Sequence, residues 1–211
     1  MSYRVVSLNI GMPVTLHSEF GEVETAIRKQ PVTSRVYLDT LNFNGDQQAD
    51  QKHHGGVDKA VCLYPHQHYA YWESFYQRTF RIPAFGENLT VSGVSEHNTH
   101  IGDIYKLGEA ELQVTQPRQP CYKITRNHDI EGFPTEVIKT GYTGFYLRVL
   151  KPGYVSPEDQ MKRVHIDNAK VTISEVNDVK YDGNIHADEL ERVMAVEALA
   201  ESLYDSLKRN L

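Results

Sequence analysis

Short apolar runs separated by glycine, proline and polar turns fill most of the chain, and this pattern predicts strands rather than long helices. Tyr3 to Asn9 reads as a strand stopped by the breakers Gly11, Met12 and Pro13. Val36-Tyr37-Leu38 is another β-prone run. A third strand, Ala60 to Tyr64, leads through Pro65 into a helix from His66 to Arg78. Within that helix Tyr69, Trp72, Phe75 and Tyr76 recur at three- and four-residue spacing and form an aromatic face suited to core packing. Phe85 to Gly93 is a glycine-bracketed turn running into a strand. Ile104 to Leu107 and Glu111 to Gln116 predict a hairpin about Gly108-Glu109, with Leu112 and Val114 alternating against Gln113 and Thr115. A short helix from Pro134 to Thr140, stopped by Gly141, precedes a strand from Gly144 to Leu150.

Beyond Arg163 the period changes. Thr172-Ile173-Ser174-Glu175 has the form of a capping box opening a helix that runs to Tyr181, and Asp182-Gly183-Asn184 breaks it. From Ala187 to Arg209 the residues Leu190, Val193, Met194, Leu199, Leu203 and Leu207 can share one helical face, with a break near Val196. The expected architecture is therefore mainly β over residues 1–165, with short helices, followed by a small all-helical domain of three helices over 166–211.

Composition narrows the function classes. With 22 basic against 28 acidic residues the net charge is -6, which excludes a general basic surface for a nucleic acid polymer. No apolar run approaches the ~20 residues of a membrane span, and the start, Met1 to Gly11, has no basic leader, so a cytoplasmic location is expected. The two cysteines, Cys62 and Cys121, form neither a disulfide framework nor a paired zinc spacing. His66 and His68 stand as a His-x-His pair at a helix start, where their rings point apart rather than at one metal.

The densest chemistry lies in Gln116-Pro-Arg-Gln-Pro-Cys-Tyr-Lys123. Pro117 and Pro120 stiffen the backbone around Arg118 and Cys121, in a segment delivered by the end of a strand. A thiol between Arg118 and Lys123 is expected to shift toward thiolate, the form that attacks electrophiles or binds metals. A buried structural cysteine beside two turn prolines is the plainer reading of the same residues. The polar loop from Asn42 to Asp58 ends in Lys52-His-His-Gly-Gly-Val-Asp-Lys59, where Gly55 and Gly56 could turn backbone N–H groups toward an anion among Lys52, His53, His54 and Lys59. Asn88 either orders a turn or bonds a polar ligand, and Arg148, inside an apolar strand, requires an anionic partner or a surface salt bridge.

Several of these motifs, taken in order, resemble the MOSC family, named for the C-terminal domain of molybdenum-cofactor sulfurases. They are Asp46-Gln-Gln-Ala-Asp50, His54-Gly-Gly-Val-Asp-Lys-Ala60, Phe85-Gly-Glu-Asn-Leu89, Pro117-Arg-Gln-Pro-Cys-Tyr-Lys123 and Gly144-Phe-Tyr-Leu-Arg-Val149. Within the family the chain is most similar to the stand-alone bacterial YiiM-type proteins, which add three C-terminal helices. Phe145 stands where the family often has tryptophan. The resemblance implies a β-barrel-like MOSC domain that binds the molybdopterin form of the molybdenum cofactor, with Cys121 as the sulfur ligand to the metal. It further implies reduction of N-hydroxylated compounds, including purine bases and amidoximes, with electrons from a separate redox protein such as a flavoprotein. On that basis Arg118, Lys123, Gly55, Gly56 and Lys59 are the expected contacts to anionic groups of the cofactor, with Asn88 and Arg148 as further contacts and His54 as proton donor. A carrier that binds cofactor or sulfur without turnover is the alternative, and a metal-free enzyme using Cys121 as nucleophile with His54 as base is a third reading. The helical domain could dock the donor, cover the site or form a homodimer.

Overall fold

The structure, a computed structural model, describes residues 1–182 and 186–209. Its strands are β1 (Ser2–Ile10), β2 (Val14–Leu16), β3 (Val23–Thr25), β4 (Gln30–Pro31), β5 (Val36–Leu38), β6 (Val61–Pro65), β7 (Leu89–Ser92), β8 (Ile104–Leu107), β9 (Ala110–Pro117), β10 (Phe145–Lys151), β11 (Gly153–Val155) and β12 (Gln160–His165). The helices are α1 (Gln51–His54), α2 (His68–Tyr76), α3 (Lys123–His128), α4 (Phe133–Thr140), α5 (Ile173–Tyr181), α6 (Ala187–Met194) and α7 (Glu201–Lys208).

Seven strands close into a barrel in the order β12-β8-β9-β10-β6-β7-β1, because β1 also pairs with β12 through Ser2 opposite Lys162 and Tyr3 opposite Met161. Closure leaves these strands without a free edge, which an open sheet would expose. Among the described residues only β6 and β7 pair in parallel, and α2 lies in the crossover between them. The strands bend where their register shifts, at Val5/Ser7, Tyr146/Leu147, Val149/Lys151 and Arg163/His165. β4 extends β1, while β2 with β3 and β5 with β11 make two outlying ribbons.

The expected hairpin is present, with Leu107 opposite Ala110. So is the capping box: the Thr172 hydroxyl accepts from the Glu175 N–H at 3.1 Å, and the Glu175 carboxylate accepts from the Thr172 N–H at 2.7 Å. The break near Val196 separates α6 from α7. Gly183 and Asn184 of the expected break after α5 lie outside the described residues. α2 is shorter than expected, since Gln77 takes a left-handed conformation that ends it. β12 and α3 have no counterpart among the expected elements. β12 buries only Met161 fully along an otherwise exposed or half-buried strand, so it lacks the alternation that marks the others.

β12 ends at His165, and the helices that follow share the barrel's apolar cluster. Val171, Ile173, Val176, Leu190, Val193, Leu199, Leu203 and Leu207 belong to one contiguous core with Leu107, Leu112, Val114 and Leu147. A second cluster sits where α2, α3 and α4 cover the barrel. There Tyr64 stacks on Phe85 at 4.0 Å between ring centroids, and the Trp72 indole donates to the Tyr64 hydroxyl at 2.6 Å. This aromatic packing fixes Phe85, and through it the turn that enters β7.

Gly144, at the entry to β10, has a φ of 68° and lies so close to β6 that an added Cβ would sit 2.5 Å from the Leu63 carbonyl oxygen. Gly144→Ala should therefore lower stability by about 2 kcal/mol or more, from left-handed strain and a backbone clash together. Urea unfolding of the purified variant measures this, and an unchanged midpoint contradicts the packing described here.

Candidate functional site

One cleft of about 600 Å3, its open mouth included, gathers residues from loops at one end of the barrel. The β3–β4 connection brings Thr25, Ala26, Ile27 and Lys29, and the loop before α1 brings Gln47, Gln48, Ala49 and Asp50. His54, Lys59, Cys62, Phe85, Gly86, Asn88, Arg118, Cys121, Lys123 and Tyr146 complete the lining. The cleft thus joins His54, Lys59, Asn88, Arg118, Cys121 and Lys123, six residues expected from sequence to act together.

Arg118 is the most constrained of them. Its N–H donates to the Gly144 carbonyl at 3.0 Å, which carries the β9 pairing one residue past the strand. Its Nη2 donates to the Phe85 carbonyl at 2.7 Å, while Nη1 is buried with no hydrogen-bond partner among the described residues. At 6% exposure the guanidinium has no carboxylate within salt-bridge distance among the described residues. A buried cation left in this state calls for an anion.

Cys121 is half-buried and free. Its carbonyl accepts from the Ile124 N–H at 3.0 Å, so the segment after Pro120 turns at once into α3 instead of continuing as an extended loop. That turn puts Lys123, the first residue of α3, on the same cleft as the thiol. Cys62 also lines the cleft, but burial pushes its thiol up to about 11 and keeps it protonated. Its backbone N–H donates to Asn88 Oδ1 at 3.0 Å.

His54 ends α1, which Asp50 caps by accepting from the His53 N–H at 3.1 Å. Burial first, then the Arg118 and Lys123 cations, lower the His54 pKa to about 4, so the imidazole is neutral at neutral pH. Lys59 lines the cleft while its ammonium donates to the His53 carbonyl at 2.7 Å. Burial also lowers its pKa.

Four expectations change in the structure. Gly55 and Gly56 do not line the cleft: the Gly55 N–H closes α1 by donating to the Gln51 carbonyl at 3.1 Å, and Gly56 has a φ of 98°. A Cβ at Gly55 would meet the Gln51 oxygen at 2.7 Å, so this pair makes a tight helix exit and not an anion nest. Asn88 reaches the cleft with a saturated amide, its Nδ2 donating to Asp46 Oδ2 at 2.8 Å and to the Asn9 carbonyl at 3.2 Å. Arg148 lies outside the cleft, 2.8 Å from Asp58 Oδ1 and donating to the Ala198 carbonyl at 3.1 Å. The salt bridge read from its apolar strand is what forms, in place of a contact to a bound group.

Sequence reasoning missed the buried Lys29–Asp46 ion pair. Asp46 ties three parts of the site together, accepting from Lys29, from Asn88 and from the Gly11 N–H at 2.8 Å. Its place in the Asp46-to-Asp50 motif was the available signal, whereas nothing local marked Lys29. Asp58 is the second missed residue. It holds Arg148 with one oxygen and the Glu201 N–H at the start of α7 with the other, at 3.2 Å, and its carbonyl accepts from the Thr115 hydroxyl at 2.7 Å. The C-terminal helices are thereby tied to the turn that presents Lys59.

Chemically, the cleft offers one accessible thiol, several cations and a neutral imidazole. Among the described residues no group of three or more His, Cys, Asp or Glu is placed to hold a metal ion. A metal here would take sulfur from Cys121 and its remaining ligands from the group that carries it, and a soft thiolate suits such a centre. The donor set fits an anionic metal cofactor, since the orphaned Arg118 Nη1 and the Lys123 ammonium are positioned to receive its negative charge.

The chain matches the MOSC domain over residues 50–162 and the YiiM-like 3-alpha helix domain over residues 171–211. It belongs to the MOSC family, in its YiiM-like branch. It is 44% identical over 200 residues to the uncharacterized protein YflK of Bacillus subtilis, covering 95% of this chain and 90% of that one. It is 38% identical over 184 residues to protein YiiM of Escherichia coli, covering 84% and 80%. The crystal structure of YiiM from Geobacillus stearothermophilus superposes with a TM-score of 0.85 at 34% identity, covering 99% of each chain. A protein of Gibberella moniliformis named a reductase is 36% identical over 143 residues, which is 66% of this chain and 25% of that protein. No described helix is long and apolar enough to cross a membrane.

Two outcomes follow from this geometry. Arg148→Met removes the ion-pair partner of Asp58 and the bond to the Ala198 carbonyl and should cost about 2 kcal/mol of stability, read by urea unfolding; a loss near zero contradicts a stabilising role for Arg148. His54 and His128 both have folded pKa values lowered from 6.5 to about 4, chiefly by burial. Unfolding therefore takes up protons between these values, so their contribution is complete above pH 6.5 and is lost as pH falls through about 4. Denaturant titrations across that window should give declining stability, and a flat profile contradicts neutral burial of the two rings.

Proposed function

We propose that this chain is a molybdenum cofactor-dependent reductase of N-hydroxylated compounds, such as N-hydroxylated purine bases and amidoximes. The observation that carries the reading is the buried Arg118 guanidinium, its Nη1 unpartnered among the described residues, lining one cleft with Cys121 and Lys123. Membership of the MOSC family supports it, as does the likeness to a protein named a reductase.

When bound, the cofactor supplies two-electron redox chemistry. Cys121 provides the metal's protein ligand as thiolate, fixed by the turn into α3. Arg118 and Lys123 bind the anionic groups, Arg118 through the free nitrogen of its fork, and Lys59 adds charge at the rim. Phe85 and Ile27 give the cleft apolar wall that limits water at the reacting atoms. The substrate's N–O bond breaks with uptake of two electrons and two protons, giving the amine and water. The electrons come from a separate redox protein, a flavoprotein by class. His54 is the imidazole in reach of the cleft for proton transfer; neutral beside Arg118 and Lys123, it gains proton affinity when an anion offsets those charges.

The test is Cys121→Ala made in a cofactor-producing host and assayed for molybdenum content and for reduction of an N-hydroxylaminopurine with a competent electron donor. Retained fold with loss of both metal and at least a hundredfold, roughly, of activity is expected for loss of a metal ligand. Full activity in the variant overturns the assignment. Wild-type protein that holds cofactor yet turns over no N-hydroxylated substrate indicates a carrier instead.

A further inference from the structure

A second cleft, about 800 Å3 with its open mouth included, shares Lys29 with the first and is lined by Arg28, Lys29, Gln30, Arg78, Thr79, Phe80, Arg81, Pro83, Ala84, Asn127 and His128. Among the described residues no acidic one lines it, although the chain has more acidic residues than basic ones. Lys29 lines both clefts, but its ammonium is buried against Asp46, so its charge is already met.

The three arginines are different. Arg28 Nε donates to Asn127 Oδ1 at 3.0 Å, Arg78 Nη1 to the His128 carbonyl at 2.9 Å, and Arg81 Nη2 to Gln30 Oε1 at 2.9 Å. Each fork is therefore held by one bond to a neutral acceptor, and among the described residues none of the three has a carboxylate within 4.0 Å. The neighbouring carboxylates face elsewhere: Glu73 accepts from the Phe80 N–H at 3.1 Å and Asp129 from the Glu19 N–H at 3.0 Å. His128 turns its Nε2 to the Ala84 carbonyl at 2.7 Å.

We infer that this cleft binds a phosphorylated small molecule, its phosphate held by Arg28, Arg78 and Arg81. Planar guanidinium forks match phosphate oxygens in paired hydrogen bonds, and three exposed arginines lining one concave surface suit a dianion better than a single carboxylate. Phe80, Pro83 and Ala84 line the cleft beside the arginines and give an apolar wall for an attached organic body. Neither the MOSC assignment nor the cofactor reading requires this site, because its arginines are absent from the first cleft.

The experiment titrates inorganic phosphate, pyrophosphate and adenosine monophosphate into the full chain by calorimetry at constant ionic strength, with acetate as a control. Two variants, Arg78→Gln/Arg81→Gln and Arg118→Gln, are compared after their folds are checked by circular dichroism. Saturable phosphate-type binding that weakens about tenfold or more in the double variant and persists in Arg118→Gln supports the inference. Tighter binding of the nucleotide than of inorganic phosphate identifies an organic phosphate as the occupant, and the reverse order overturns that part of it. Binding that disappears only in Arg118→Gln, or that acetate reproduces equally, overturns the site, as does the absence of saturable binding by any of the phosphate probes.

Discussion

A buried guanidinium whose Nη1 has no hydrogen-bond partner among the described residues is the constraint on which this structure turns. Arg118 follows directly on β9, where the β9–β10 pairing and the Gly144 carbonyl hold its backbone. Its side chain is anchored by the Phe85 carbonyl, and Phe85 is itself locked by stacking on Tyr64 within the aromatic cluster under α2. Burial of a guanidinium costs several kcal/mol unless its charge and donors are met, so a fold that holds it this firmly is organised for an anion. Glu87 reinforces the same turn from behind. It accepts from Tyr69, from the Phe85 N–H at 2.9 Å and from the Thr90 hydroxyl at 2.9 Å, while burial raises its pKa.

The barrel supplies rigidity and the C-terminal helices extend it. Asp58 and Thr115 connect α7 to the turn before β6 and to β9, the two stretches that deliver Lys59 and Arg118. The Ala200 N–H also donates to the Thr115 carbonyl at 3.1 Å, and the helices share the barrel's apolar core. They brace the strands that bear the site. Cations then meet the cleft from three independent supports, β9 with Arg118, α3 with Lys123 and the α1 exit with Lys59, which lowers the entropy lost on binding a charged group.

What the sequence made legible were features written in neighbouring residues. Thr172 with Glu175, the hairpin turn between Leu107 and Ala110, and the aromatic face of α2 all depend on spacing of a few positions. Cys121, Arg118 and Lys123 were legible as a group for the same reason. Features made by distant partners were not. Lys29 meets Asp46 only when the β3–β4 connection folds over the barrel mouth, and Asp58 meets Arg148 and Glu201 across most of the chain. Gly55 and Gly56 carry the composition of an anion nest, yet the Gly55 N–H is taken by the helix it ends. β12 was hidden because a strand that closes a barrel through backbone pairing needs little apolar side chain of its own.

We propose a cleft built for a molybdenum cofactor anchored on Cys121 and Arg118. Its most direct measurement is the molybdenum and pterin content of the purified wild-type chain made in a cofactor-producing host, with protein quantified in the same sample. Near-equal amounts of molybdenum, pterin and protein are predicted. Well-folded chain carrying neither metal nor pterin from such a host would contradict it.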